Sequence, residues 1–227
     1  MSISIKTKEE INFLREGGKR LASVLAEVAA LITPGTSVLD LDLRAEQLIL
    51  ECGGIPAFKG YRVPGVQKAY PATMCISVND EVVHAIPRKE KILYEGDVVS
   101  LDIGMLWPSE ASAKEAGVRR GLITDMAVTV GVGKISHEIE ELIRATKESL
   151  DLGIAAVRPG AHIGDIGHVV EQRLKKNNLG IIRDLAGHGV GYELHEDPFI
   201  PNFGSPGTGP EIKEGMVLAI EPMATLG

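Results

Sequence analysis

Ile11, Leu14, Gly18, Leu21, Leu25, Val28 and Ile32 recur at helical spacing with mostly polar residues between them. The stripe predicts a helix. Thr7-Lys8-Glu9-Glu10 reads as the capping box that opens it, and Pro34-Gly35 stops it. A second helix is capped near Ser37 and ends at Gly53-Gly54, followed by an irregular stretch from Ile55 to Pro71. Apolar runs then predict strands from Met74 to Val78, Val82 to Ile86, Val98 to Ile103 and Ile123 to Val132. Glu138 to Val157 reads as a third helix stopped by Pro159-Gly160, and Asp165 to Lys176 as a fourth, ending near Gly180. Late strands are expected near Ile181 to Asp184 and Val217 to Glu221.

The pattern repeats. Thr33-Pro34-Gly35 matches Arg158-Pro159-Gly160 at an offset of 125 residues, where Asp40, Glu46 and Gln47 also meet Asp165, Glu171 and Gln172. Glu95-Gly96-Asp97-Val98-Val99-Ser100-Leu101-Asp102 resembles Glu214-Gly215-Met216-Val217-Leu218-Ala219-Ile220-Glu221 at an offset of 119. Each half reads as helix, Pro-Gly turn, helix, loop, then a strand ending in a carboxylate. The expected fold class is α+β: a pseudo-two-fold repeat with a mostly antiparallel sheet and helices packed outside it. One catalytic domain over residues 1–227 is expected, in two related halves of approximately 1–125 and 126–227, the second lacking its last strand.

Composition narrows the function classes. The 227 residues carry 24 Lys and Arg against 31 Asp and Glu, a net charge of −7, which argues against a basic nucleic-acid surface. Hydrophobic residues make up 44%, the level of a chain that folds around a core, and none of the apolar runs reaches the 18 residues of a membrane span. The first residues lack a signal-peptide core, so a cytoplasmic location is expected. Cys52 and Cys75 are too few for a disulfide framework or a thiolate zinc cage.

Carboxylates in apolar strands stand out. Asp102, Asp125 and Glu221 each lie in a strand-like run, where acids are depleted, and burying one unpaired costs several kcal/mol. A bound divalent cation meets that need. His188 sits in Gly187-His188-Gly189-Val190-Gly191, where backbone and substrate can approach closely. His195 follows seven residues later, and His84 lies in Val82-Val83-His84-Ala85-Ile86-Pro87. His137, His168 and His162 fit helix surfaces and a turn. Hard carboxylate oxygens with one imidazole nitrogen suit Mn, Fe, Co or Zn, and a pair of such ions activates water and polarises a carbonyl.

These residues resemble the type I methionine aminopeptidases of the pita-bread metallopeptidase family, over essentially the whole chain. The resemblance is carried by Glu16-Gly17-Gly18, the run from Cys75 to Pro87, Asp102-Ile103-Gly104, Asp125-Met126-Ala127-Val128-Thr129, Gly187-His188-Gly189, His195-Glu196-Asp197-Pro198 and Ile220-Glu221-Pro222-Met223. It implies a pita-bread fold and removal of the initiator methionine from nascent proteins. It implies two divalent metal ions (Co, Mn, Fe or Zn) held by Asp102, Asp125, His188 and Glu221. By the same resemblance His84 contacts the scissile amide nitrogen, His195 holds the substrate carbonyl, and Glu221 shuttles a proton. Tyr70 and Cys75 match the family's methionine pocket. The expected partners are N-terminal Met peptides and nascent chains, with the ribosome as a further candidate. A monomer without membrane or specific nucleic-acid contacts is expected.

The chain departs from the family pattern in three places. Leu194 stands where an aromatic residue usually precedes the second histidine. Asp102 and Asp125 lie 23 residues apart, with a polar excess from Trp107 to Glu115 and Arg119-Arg120 that reads as a solvated extension, Trp107 being its packing anchor. Third, the chain stops at Gly227, before a family strand whose glutamate bridges both metals. The expectation is a truncated catalyst with a weak second metal site, little turnover and an exposed sheet edge. The competing readings are a proline-directed peptidase of the same fold and a metal-free binding module.

Overall fold

The computed structural model describes residues 3–62, 65–108 and 121–227. Its helices are α1 (Lys8–Ala30), α2 (Val38–Glu51), α3 (His137–Ala156) and α4 (Ile163–Lys175). The predicted capping box starts α1: Thr7 N donates to Glu10 Oε2 (2.8 Å) and Glu10 N donates to Thr7 Oγ1 (3.2 Å). The strands are β1 (Ile55–Pro56), β2 (Met74–Val78), β3 (Val98–Pro108), β4 (Gly121–Gly131), β5 (Gly180–Ile181), β6 (Ala186–Gly189), β7 (Glu196–Pro201), β8 (Leu218–Ala219) and β9 (Ala224–Thr225).

Two compact units divide the chain. The first holds Asn12–Ser136 and Gly191–Leu194; the second holds Met1–Ile11, His137–Val190 and His195–Gly227. In the first unit β3 pairs antiparallel with β4 along its whole length, with β2 over Val99–Ile103 and with β1 over Met105 and Leu106. Period-two alternation sends Met74, Ile76, Leu101 and Ile103 into a core they share with Leu21, Val24, Leu25 and Val28 of α1 and Val38, Leu41, Ala45 and Ile49 of α2. Each such side chain, fully buried, contributes about 1.5–3 kcal/mol. The opposite face of the same strands is left for polar groups, such as the Ser100 and Thr129 hydroxyls 2.8 Å apart.

In the second unit Ala161, Ile163, Ile166, Ile200 and Ile212 form the core, and α3 packs Ala145, Ser149 and Gly153 inward. Its strands form a three-stranded sheet, β7-β6-β8, and a two-stranded pair, β5-β9. Every pairing among the described strands is antiparallel, but the hydrogen bonding runs in three separate sheets.

The sequence repeat is a repeat of local structure. Gly35 N donates to Leu93 O (2.8 Å) and Val38 N to Lys91 O (3.0 Å). At the matching positions Gly160 N donates to Ile212 O (3.1 Å) and Ile163 N to Pro210 O (3.0 Å). Single bridges pair Ser37 with Ile92 and His162 with Glu211, again at offsets of 125 and 119. Gly96 and Gly215 turn the chain with the same φ of 93°.

Several expectations are corrected. Val82 to Ile86 is not a strand, because His84 takes a left-handed φ of 59° and breaks the extension; Ala85 alone pairs with β2, its O accepting from Ile76 N (3.1 Å) and its N donating to Ser77 Oγ (3.5 Å). The late strands shrink to β5 and β8, and β1, β6, β7 and β9 had no strand-like apolar run to announce them. Trp107 belongs to β3 and anchors α1: its ring lies 6.5 Å from that of Phe13, and the Arg20 guanidinium sits 4.7 Å over it. The remainder of the expected extension, residues 109–120, lies outside the described residues. No described helix is long and apolar enough to cross a membrane.

Candidate metal centre

The β3–β4 register puts two acids on one face. Asp102 lies opposite Ala127, and Asp125 lies opposite Gly104, so the two aspartates are diagonal neighbours on the face turned away from the apolar core. Gly104, opposite Asp125, makes way for the Phe58 ring, whose Cε1 a Cβ there would meet at 2.6 Å. Both acids are half-buried.

Cys75 of β2 is paired with Asp102 and shares that face. It packs in a buried cluster with Phe58 and Leu194, edged by Tyr61, Tyr70, Ala57 and Ile123. An apolar patch thus lies beside the aspartates. Burial, reinforced by Asp102, pushes the Cys75 thiol up to about 12, which holds it as the protonated thiol in the metal-free chain. Tyr70 is raised as well, chiefly by burial. Its hydroxyl lies 3.1 Å from both Met74 O and Ala85 O, bridging β2 to the segment that carries His84. Phe58 and Tyr61 were not singled out from the sequence, where an aromatic residue in an irregular stretch carries no periodic signal. His84 projects from its left-handed turn with an exposed side chain.

The second unit supplies the imidazole and the third acid. His188 of β6 is paired with Ala219 of β8, two residues before Glu221. Both neighbours of His188 must be glycine: a Cβ on Gly187 would meet Ala219 O at 2.1 Å, and one on Gly189 would meet Asp197 O at 2.3 Å. His188 Nδ1 lies 2.9 Å from Gly189 O; with its proton there, the Nε2 lone pair is left for a ligand. Nε2 is 3.2 Å from Glu221 Oε1, an approach without hydrogen-bond geometry, since Oε1 accepts no hydrogen bond. Burial pushes the Glu221 carboxyl up to about 7 and the His188 imidazole down. A buried carboxylate oxygen without a donor, facing a neutral imidazole nitrogen, is the donor set a divalent cation takes. His195 stands beside them with an exposed ring edge-on to His188, centroids 4.5 Å apart.

The predicted ligands therefore come as two pairs, Asp102 with Asp125 and His188 with Glu221, one in each unit. Among the described residues no three His, Cys, Asp or Glu side chains are gathered into a single metal-holding group.

Comparison with known proteins carries the same chemistry. The model of metallopeptidase family M24 matches residues 12–226. The methionine aminopeptidase of Clostridium acetobutylicum is 40% identical over 225 residues, covering 99% of this chain and 83% of the relative. Methionine aminopeptidase 1 of Bacillus subtilis gives the same identity and coverage. The crystal structure of the methionine aminopeptidase from Thermotoga maritima superposes with a TM-score of 0.89 at 42% identity, covering 100% of this chain and 84% of that one. A prolidase from Pyrococcus furiosus, 24% identical with a TM-score of 0.75 over 96% of this chain and 57% of its own, shares the fold alone. The expected pita-bread architecture is thus present. With the family model spanning nearly the whole chain and relatives this similar over 99% of it, the chain belongs to metallopeptidase family M24.

Proposed function

We propose that this chain is a methionine aminopeptidase, a metal-dependent hydrolase that removes the N-terminal methionine from peptides and nascent proteins. The observation that carries the reading is the shared face of Asp102 and Cys75, which sets an apolar pocket against a candidate ligand acid. An unbranched thioether would lie against the apolar cluster of Phe58, Cys75 and Leu194, where a Lys or Glu side chain would be desolvated without a partner. Full-length similarity to methionine aminopeptidases supports the same substrate class.

Asp102, Asp125, His188 and Glu221 would hold the divalent metal, as two ions drawn from Co, Mn, Fe or Zn. A bound cation of this kind supplies Lewis-acid polarisation of the scissile carbonyl and acidifies a water. The chain's own residues do the rest. His195 donates to the substrate carbonyl oxygen as negative charge develops there. His84 hydrogen-bonds the scissile amide nitrogen. Glu221, which β8 brings beside His188, takes a proton from the attacking water and returns it to the leaving amine. On this reading the substrates are N-terminal Met peptides and nascent chains in the cytoplasm.

The test is to load the protein with Mn or Co and compare Met-Gly-Gly with dipeptides of the X-Pro type. Release of methionine with no cleavage of X-Pro is expected. Preferential X-Pro cleavage, or turnover of Lys-Gly-Gly comparable to Met-Gly-Gly, would overturn the assignment.

A further inference from the structure

His195 lies on a bend, with its ring exposed, immediately before β7 begins at Glu196. A side chain so placed is only as well aimed as the start of that strand. Glu196 is held from an unexpected quarter. Lys6 is 3% exposed, and its Nζ sits 2.5 Å from Glu196 Oε2, with the two side chains 1% and 9% exposed. Ser4 Oγ hydrogen-bonds to both. Lys6 N donates to Gly215 O (2.8 Å), so the cation is presented from a fixed backbone. Glu196 also pairs across β6–β7 with Gly189, the neighbour of His188. One buried carboxylate thus adjoins His195 along the chain and His188 across the sheet.

We propose that Lys6 is a positioning residue, acting through Glu196 to set the placement of His195 against His188. The proposal rests on the reading of His195 as the carbonyl-binding group. A buried charge must stay with its counter-charge, so where Lys6 is fixed, Glu196 and the start of β7 are fixed with it. Displacement of a catalytic group by about 1 Å costs up to about 10²-fold in rate.

The experiment uses isotope-labelled histidine. In the metal-free protein, Lys6→Met is expected to shift the imidazole signals of His195 and His188 and leave those of His137 and His162 in place. In the metal-loaded enzyme the same variant should lower kcat about tenfold or more, with KM within about threefold and metal content unchanged. Lys6→Arg should restore most of both. The double variant Lys6→Met/Glu196→Met carries no buried charge and should fold, yet still show the displaced His195 signal and low kcat. Lys8→Met, exposed on α1, should change nothing. Wild-type His195 signals in the double variant would overturn the proposal, as would equal shifts of all histidines in Lys6→Met together with a wild-type kcat in the double variant. Wild-type turnover in His195→Ala would instead sink the role given to His195, leaving the imidazole signals to report on Lys6 alone.

Discussion

His188 and His195 have ring centroids 4.5 Å apart, yet their surroundings differ. His188 is buried, has one nitrogen committed to a backbone carbonyl and turns the other toward Glu221. His195 is exposed beside it. His188→Ala should lose metal, read as metal per chain after gel filtration. His195→Ala should keep metal and lose about 10²-fold in kcat, the usual cost of one oxyanion donor. Equal metal loss in both would show the two roles exchanged. At this scale the candidate ligands stood out in the sequence, because acids in apolar strands and a histidine between glycines break local preferences. Tyr70 shows the limit. Its match to a pocket position is visible in sequence, but its hydroxyl bridge between Met74 O and Ala85 O depends on two backbone carbonyls that no side-chain pattern encodes.

Elements differ in how openly the sequence declares them. The four helices carry long apolar stripes and Pro-Gly stops, and they appear where expected, within a few residues. Short strands do not: β6 is Ala-Gly-His-Gly, and only pairing with β7 and β8 makes it a strand. Val82 to Ile86 fails the other way, since its apolar residues suit a strand but the left-handed turn at His84 forbids one. The joint between α2 and β2 was also hidden. Asp42 of α2 is buried, and its Oδ1 accepts hydrogen bonds from Thr73 N and Met74 N, each 2.9 Å. Burial outweighs those bonds and raises its pKa above 3.8. A raised carboxyl pKa gives stability that is present in full below the unfolded value and lost as pH rises through the folded one. Asn at this position keeps Oδ1 as acceptor and never ionises. Asp42→Asn should therefore gain stability relative to the wild type as pH rises from about 4, levelling off above the folded pKa. Urea melts between pH 4 and 8 read this directly, and a gap that narrows with rising pH would contradict it.

For the whole molecule, the candidate ligands divide between the two units. The first offers Asp102, Asp125 and the apolar patch; the second offers His188, Glu221 and His195. The internal repeat accounts for the division: one turn geometry is used twice, and the run after it carries Asp102, inside β3, in one half and Glu221, two residues past β8, in the other. Metal should therefore stabilise the native chain well beyond a surface ion. At a free concentration 100-fold above its Kd, a divalent ion adds about 2.7 kcal/mol. For a chain of this size that raises Tm by about 5–10 °C. Chelation should reverse the shift, and Asp102→Asn should remove most of it. A Tm indifferent to Mn or Co in the wild type would count against the four-ligand set.

The tight backbone around His188 bears on how the gene can vary. A side chain at position 187 or 189 would strike a carbonyl oxygen of a neighbouring strand or bend, and neither oxygen can withdraw without undoing the sheet. Every single-base change in a glycine codon that alters the residue or stops the chain adds at least a methyl group or ends the protein. In a saturation library sorted only for folded, soluble protein, with no demand for peptidase activity, positions 187 and 189 should therefore come back as glycine alone. His195, exposed on its bend, should tolerate many replacements in that same sort and become invariant only when the selection is for growth that depends on methionine removal.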